Sequence, residues 1–154
     1  MAFDAPSLKG RALRLLGTRE YSRLELQRKL AQYEEEPGTL AAALDDLQAK
    51  GFISAQRVLE SVVHRRAGKL GAARIQQELL SKGLAPQAIS QAMTELQTTE
   101  QARAQAVWFK KFGAAPQDAT EAARQMRFLA ARGFASEVIR RVVKSCAESM
   151  PNSE

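Results

Sequence analysis

The sequence predicts an all-α protein built as three tandem three-helix repeats, an elongated, curved helical array with right-angled turns. Three observations carry that reading. The 154 residues are 45% apolar and 26% charged but only 6% aromatic, with few β-branched side chains, a helix-forming mixture. Glycine and proline cut the chain into segments of about 10 to 18 residues, most with apolar side chains at helical spacing. Three of those segments resemble one another, "LQRKLAQYE" from Leu26, "IQQELLSKG" from Ile75 and "QMRFLAARG" from Gln125, at offsets of 49 and then 50 residues. Units of that size are too small to bury a core alone and lean on their neighbours.

Nine helices follow in order. The first spans about Leu8 to Gly17, with Leu8, Ala12, Leu15 and Leu16 on one side. The second opens at "YSRLE", where Ser22 and Glu25 have capping-box spacing, and continues through Leu26, Leu30 and Tyr33 as its inner stripe. After "EEEPG" the third runs from Gly38 to Lys50 with Leu40, Leu44 and Leu47 inward, and Gly51 ends it in the left-handed conformation. Ser54 caps the fourth, which buries Val58, Leu59, Val62 and Val63 up to Arg66. The fifth, Ala72 to Lys82, carries Ile75 and Leu79 and stops at Gly83; Pro86 opens the sixth, with Ile89, Met93 and Leu96 inward. The seventh, Thr98 to Phe112, holds the aromatic cluster Trp108, Phe109 and Phe112, assigned to the core in preference to base stacking. The eighth, Gln117 to Arg132, turns Ala122, Met126 and Leu129 inward, and the ninth, Ser136 to Cys146, turns Val138, Ile139, Val142 and Val143 inward.

The repeats are placed at 8–52, 53–97 and 98–147, between flexible tails at 1–7 and 148–154. The echoes "KGFIS", "KGLAP" and "RGFAS" are read as helix punctuation: a basic residue and a glycine close a helix, an apolar side chain pins the turn, and Ser or Pro opens the next helix.

The inventory argues against an enzyme. One histidine, His64, and one cysteine, Cys146, supply no metal-ligand set; His64 reads as a solvated helix residue and Cys146 as a small core hydrophobe. "GKLGAAR" from Gly68 lacks the spacing of a phosphate loop and follows a helix where such a loop follows a strand. Asp45 and Asp46 diverge by about 100 degrees on a helix and cannot readily share a metal or proton. "EEE" at 34 to 36 reads as a charged loop. No cofactor or metal is expected. No apolar run approaches the roughly 18 residues of a membrane span, and "MAFDAPSLKG" has no signal-peptide core, so a cytoplasmic protein is expected.

The net charge of +6 is uneven: residues 1 to 60 carry 9 basic and 9 acidic side chains, residues 61 to 154 carry 14 and 8. Arg65, Arg66, Lys69 and Arg74 concentrate around the turn between the fourth and fifth helices. Arg124, Arg127 and Arg132 line up on the eighth helix, and Arg140, Arg141 and Lys144 form a row on the ninth. Such groups suit phosphates or acidic side chains, and part of the pattern is the ordinary preference for cations at helix C-termini. A non-sequence-specific nucleic-acid-binding module is one reading of these rows.

"ALDDLQAKGFISAQRVLESVVHRRAGKLGAARIQQELLSKGL", from Ala43 to Leu84, resembles the central part of RecX regulatory proteins. "ALRLLGTREYSRLELQRKL" resembles that family's first unit and "RQMRFLAARGFASEVIRRVV" its last, so the likeness spans about residues 8 to 147. The sequence departs from the family in carrying Ser54 and Ala55, where acidic residues are common. The resemblance implies three tandem three-helix repeats and a non-enzymatic role: binding the RecA filament and limiting its activity in recombination and DNA repair. RecA is thus the expected partner; the basic rows add DNA, through phosphate contacts, and the self-contained three-unit array is expected to be a monomer.

Overall fold

A computed structural model describes residues 5–148 of the chain. Eight α-helices and one short 3-10 turn account for its regular structure, with no strand among the described residues. The helices are α1 (Leu8–Leu16), α2 (Arg23–Leu30), α3 (Thr39–Ala49), α4 (Ala55–Arg66), α5 (Ala72–Ser81), α6 (Pro86–Lys111), α7 (Ala119–Ala131) and α8 (Ser136–Glu148). The expected tails at 1–7 and 148–154 lie mostly outside the described residues.

Local chemistry explains most of the boundaries. Ser22 and Glu25 form the reciprocal capping box at the start of α2. Ser54 Oγ accepts from the Arg57 N–H at 3.2 Å to open α4, and Pro86 occupies the first turn of α6. The three "basic-Gly" echoes close α3, α5 and α7 identically. Gly51, Gly83 and Gly133 sit at φ 82, 74 and 90°, and the next N–H reaches back to Leu47, Leu79 or Leu129. This is a Schellman closure used three times. The apolar pin differs: Leu84 and Phe134 are buried directly after the glycine, whereas Phe52 is exposed and Ile53 takes its place.

Two expectations fail. The sixth and seventh helices are one continuous helix, α6, so eight α-helices replace nine. The repeat period places a boundary at Thr98, but no Gly or Pro lies there. The Thr98 and Thr99 hydroxyls donate to the carbonyls of Glu95 and Leu96, at 2.7 and 3.3 Å, within the helix. Tyr33 and Phe109, expected inward, are 41% and 70% exposed. Tyr33 falls in the 3-10 turn Ala31–Tyr33, where the 3.6-residue period ends. Phe109 stands about 100 degrees around the helix from buried Trp108.

Three separate cores result. Ala12, Leu26, Leu30, Leu44 and Leu47 anchor the first, between α1, α2 and α3. Val58, Val62, Ile75, Leu79, Ile89 and Leu96 fill the second, where α5 packs on both α4 and α6. Ala104, Trp108, Leu129, Ile139 and Val142 fill the third, between α6, α7 and α8. The first half of α6 thus belongs to the second bundle and its second half to the third. Trp108 donates its indole N–H to Gln125 Oε1 at 2.8 Å, which satisfies both buried polar groups.

Candidate anion-binding site

The second and third bundles meet at two turns, and the meeting gathers cations. After α4, the turn at 67–71 is held from below by α6. Arg103 donates to the carbonyls of Ala67, Leu70 and Leu96 at 2.9, 2.8 and 2.9 Å. One helical turn earlier, the carboxylate of Glu100 accepts the Ala72 N–H at 3.0 Å and caps α5, whose own N-cap is a glycine with no side chain to offer. Burial lowers the Arg103 pKa, and the charge of Glu100 opposes that.

The turn so fixed docks onto the α7–α8 turn by a close backbone approach. The Gly71 N–H donates to the Arg132 carbonyl at 2.8 Å. A Cβ on Gly71 would overlap the Gly133 carbonyl, and one on Gly133 would overlap Arg74. Only glycine permits this approach. Arg74 crosses the junction to donate to the Ala131 carbonyl at 2.7 Å.

Beside this contact lies a concavity of about 570 Å³. Lys69 comes from the first turn, Arg132 from the second, and Lys110 and Lys111 from the end of α6. Phe128 and Val107 supply its apolar floor. Arg132 and Lys111 stand 4.8 and 5.5 Å from the centroid of the Phe128 ring, and Phe112 packs edge-on against it. No carboxylate lines the concavity, and none of its four cations has an ion-pair partner among the described residues. Four uncompensated charges over an aromatic floor can hold phosphates or carboxylates, with a strong dependence on salt.

The residues predicted from sequence separate into groups. Lys69 and Arg132, 63 positions apart in the chain, come together. Arg66 instead pairs with Glu78 at 3.2 Å, and Arg74 serves the junction. Arg65 and Arg127 are exposed elsewhere, and Arg124 borders a smaller hollow near Phe112 and Glu121. Arg140 is exposed on α8, where Arg141 makes a 3.4 Å pair with Glu137. Sequence reasoning missed Lys110, Lys111 and Phe128; for the two lysines the signal was "WFKKF", read only for its aromatics.

No group of three or more His, Cys, Asp or Glu that could hold a metal occurs among the described residues. Cys146 is buried, as expected, and burial raises its thiol pKa. No helix among the described residues is long and apolar enough to cross a membrane.

Fold and site together define a tandem three-helix-repeat protein with a cationic concavity between its second and third bundles. Sequence models of the first, second and third three-helix domains of RecX match residues 9–47, 56–93 and 98–143. The chain belongs to the RecX family of regulatory proteins. It is 54% identical to "Regulatory protein RecX" of Leptothrix cholodnii over 94% of this chain and 93% of that one. Identity to the protein of the same name from Ralstonia nicotianae is 46%, over 90% and 87%. The fold is shared with a crystal structure of RecX from Lactobacillus salivarius, at a TM-score of 0.72, 16% identity, and coverage of 92% and 95%. A second crystal structure of a regulatory protein RecX gives the same TM-score at 19% identity, over 89% and 70%.

Proposed function

We propose that this chain binds the RecA recombinase assembled on DNA and restrains its activity in recombination and DNA repair. It does so as a cytoplasmic monomer without cofactor or catalysis. Its three units, placed at about 8–52, 53–97 and 98–147, lie against the filament and obstruct subunit addition or strand access by occupation. The observation that carries the reading in this chain is the acid-free concavity of Lys69, Lys110, Lys111 and Arg132 beside the Gly71–Gly133 contact. A surface of that sign fits acidic protein side chains or the phosphates they cover. Membership of a family of regulatory proteins supports it.

The test is inhibition of RecA-driven strand exchange by substoichiometric protein. Lys110→Glu with Lys111→Glu, both exposed, is expected to raise the concentration needed for inhibition about tenfold or more with unchanged helical content. No inhibition by the unmodified chain at saturation would overturn the reading. The exposed Phe109 beside Lys110 and the Phe128 floor favour one alternative, a general nucleic-acid-binding module. Equal affinity for bare single strands and for filaments across ionic strengths would establish that alternative instead.

A further inference from the structure

We propose that the first bundle carries a second, independent site that binds the backbone and a base of single-stranded nucleic acid. Residues 1 to 60 hold equal numbers of basic and acidic side chains, so their net charge conceals it. Folding sorts those charges. Asp46 pairs with Lys9 and Lys50, Asp45 with Arg23, Glu25 with Arg19, and Glu20 with Arg57. Glu34 turns to the α3 N-terminus, where it accepts the Leu40 N–H at 2.8 Å. Arg11, Arg14, Arg28 and Lys29 are left without an ion-pair partner among the described residues.

Those four cations surround one hollow of about 430 Å³ between α1 and the end of α2, over Leu15, and no carboxylate lines it. Arg28 and Lys29 in the last turn of α2, and Arg14 in the last turn of α1, also meet the negative end of their own helix, but Arg11 has no such explanation. Mutual repulsion of four cations is relieved by a polyanion.

The aromatic group decides which one. The Arg11 guanidinium lies 3.7 Å from the centre of the Tyr33 ring, and Tyr33 is 41% exposed at the rim of the hollow. A tyrosine ring held by an arginine guanidinium beside several cations suits an unpaired base with its phosphates, and bases inside a duplex do not present their faces. An acidic peptide would use the cations and leave the stack idle. This site shares no residue with the concavity between the second and third bundles, and the proposal does not rest on RecA binding.

The experiment uses the full-length chain carrying Lys110→Glu and Lys111→Glu, so that binding at the other site is suppressed. Fluorescence anisotropy of a labelled oligothymidine of about 16 nucleotides is followed over a range of salt, without RecA. Arg14→Ala with Arg28→Ala, both exposed, is expected to weaken binding about tenfold or more. It should also reduce the slope of log affinity against log salt by about 1.4, for two lost phosphate contacts. Tyr33→Ala should weaken single-strand binding about fivefold or more and leave duplex binding unchanged. Unchanged affinity and slope in the arginine variant overturns the site. Tyr33→Ala with no effect, or polyglutamate competing as well as the oligonucleotide at equal charge, overturns the single-strand assignment.

Discussion

The junction between the first and second bundles and the junction between the second and third solve one problem with different chemistry. At the first, Lys82 reaches Glu25 at 3.0 Å, Arg57 reaches Glu20 at 2.8 Å, and Arg57 also donates to the Gly51 carbonyl at 2.6 Å. Side-chain charge spans the gap, with Arg57 and Glu20 in contact with water and Lys82 and Glu25 largely covered. At the second, one helix runs through both bundles, two glycines put backbone on backbone, and the charges involved, Arg74, Glu100 and Arg103, bind main-chain groups. Ion pairs in solvent contribute little and yield to salt and protons, whereas a close-packed backbone contact has no softer arrangement available. On that contrast the first bundle is expected to open separately, while the concavity of Lys69 and Arg132 sits beside a close-packed backbone contact.

Matched glycine substitutions break that contrast most strongly. Gly71 has φ −75°, which alanine adopts freely, so Gly71→Ala tests steric overlap with Gly133 alone. A loss of about 3 kcal/mol or more is expected, because main chain cannot rotate aside. Anion binding that depends on Lys69 and Arg132 together should fall with it. Gly83→Ala at the other junction meets Leu24 Cδ2 at 2.7 Å and a φ of +74°. A leucine side chain can turn, which leaves a left-handed cost of about 1–2 kcal/mol. Urea denaturation compares the two; an equal or larger loss for Gly83→Ala would erase the distinction.

Glu100 gives the next effect in size. Glu100→Ala leaves the buried Ala72 N–H unpaired and removes the charge opposing the desolvation of Arg103. The expected loss is about 2–3 kcal/mol, while Glu100→Gln keeps an acceptor and should cost about half as much. Hydrogen exchange at the Ala72 amide should accelerate in the alanine variant and change little in the glutamine one. Equal exchange in both would show that the carboxyl does not cap α5.

Most of the fold was legible because it is written locally. The Ser22–Glu25 box, the Ser54 cap and the three glycine closures each depend on residues within about one turn. Continuity of α6 was not legible, because a period near 50 residues places a boundary where Thr98 and Thr99 in fact bond back into the helix. The site was half legible. Lys69 and Arg132 stand out as turn cations, but nothing in the sequence places Lys110 beside them or shows that Arg66 and Arg74 are already engaged. Arg11, Arg14, Arg28 and Lys29 were hidden by an equal number of acids in the same stretch, of which Glu20, Glu25, Glu34, Asp45 and Asp46 take other partners.

The smallest effect sharpens the comparison through pH. Burial works against the charge on Glu25, but hydrogen bonds from Arg19, the Ser22 N–H and Lys82 outweigh it and hold its carboxyl down at about 2, against an ordinary value of 4.5. A carboxylate depressed in the folded state stabilises above its unfolded pKa; as pH falls from about 4.5 toward 2, the unfolded chain takes up the proton first and that stability is lost. After solvent screening the contribution is of order 1–2 kcal/mol. Glu25→Gln should therefore lower stability at neutral pH and flatten the fall between pH 4.5 and 2 relative to the unmodified chain. Hydrogen exchange should place the added opening in the first bundle and its contacts with Lys82, with α6 to α8 unchanged. If the acid-induced loss keeps its steepness in Glu25→Gln, or appears first around Trp108, then this ion pair is not what fastens the first bundle to the second.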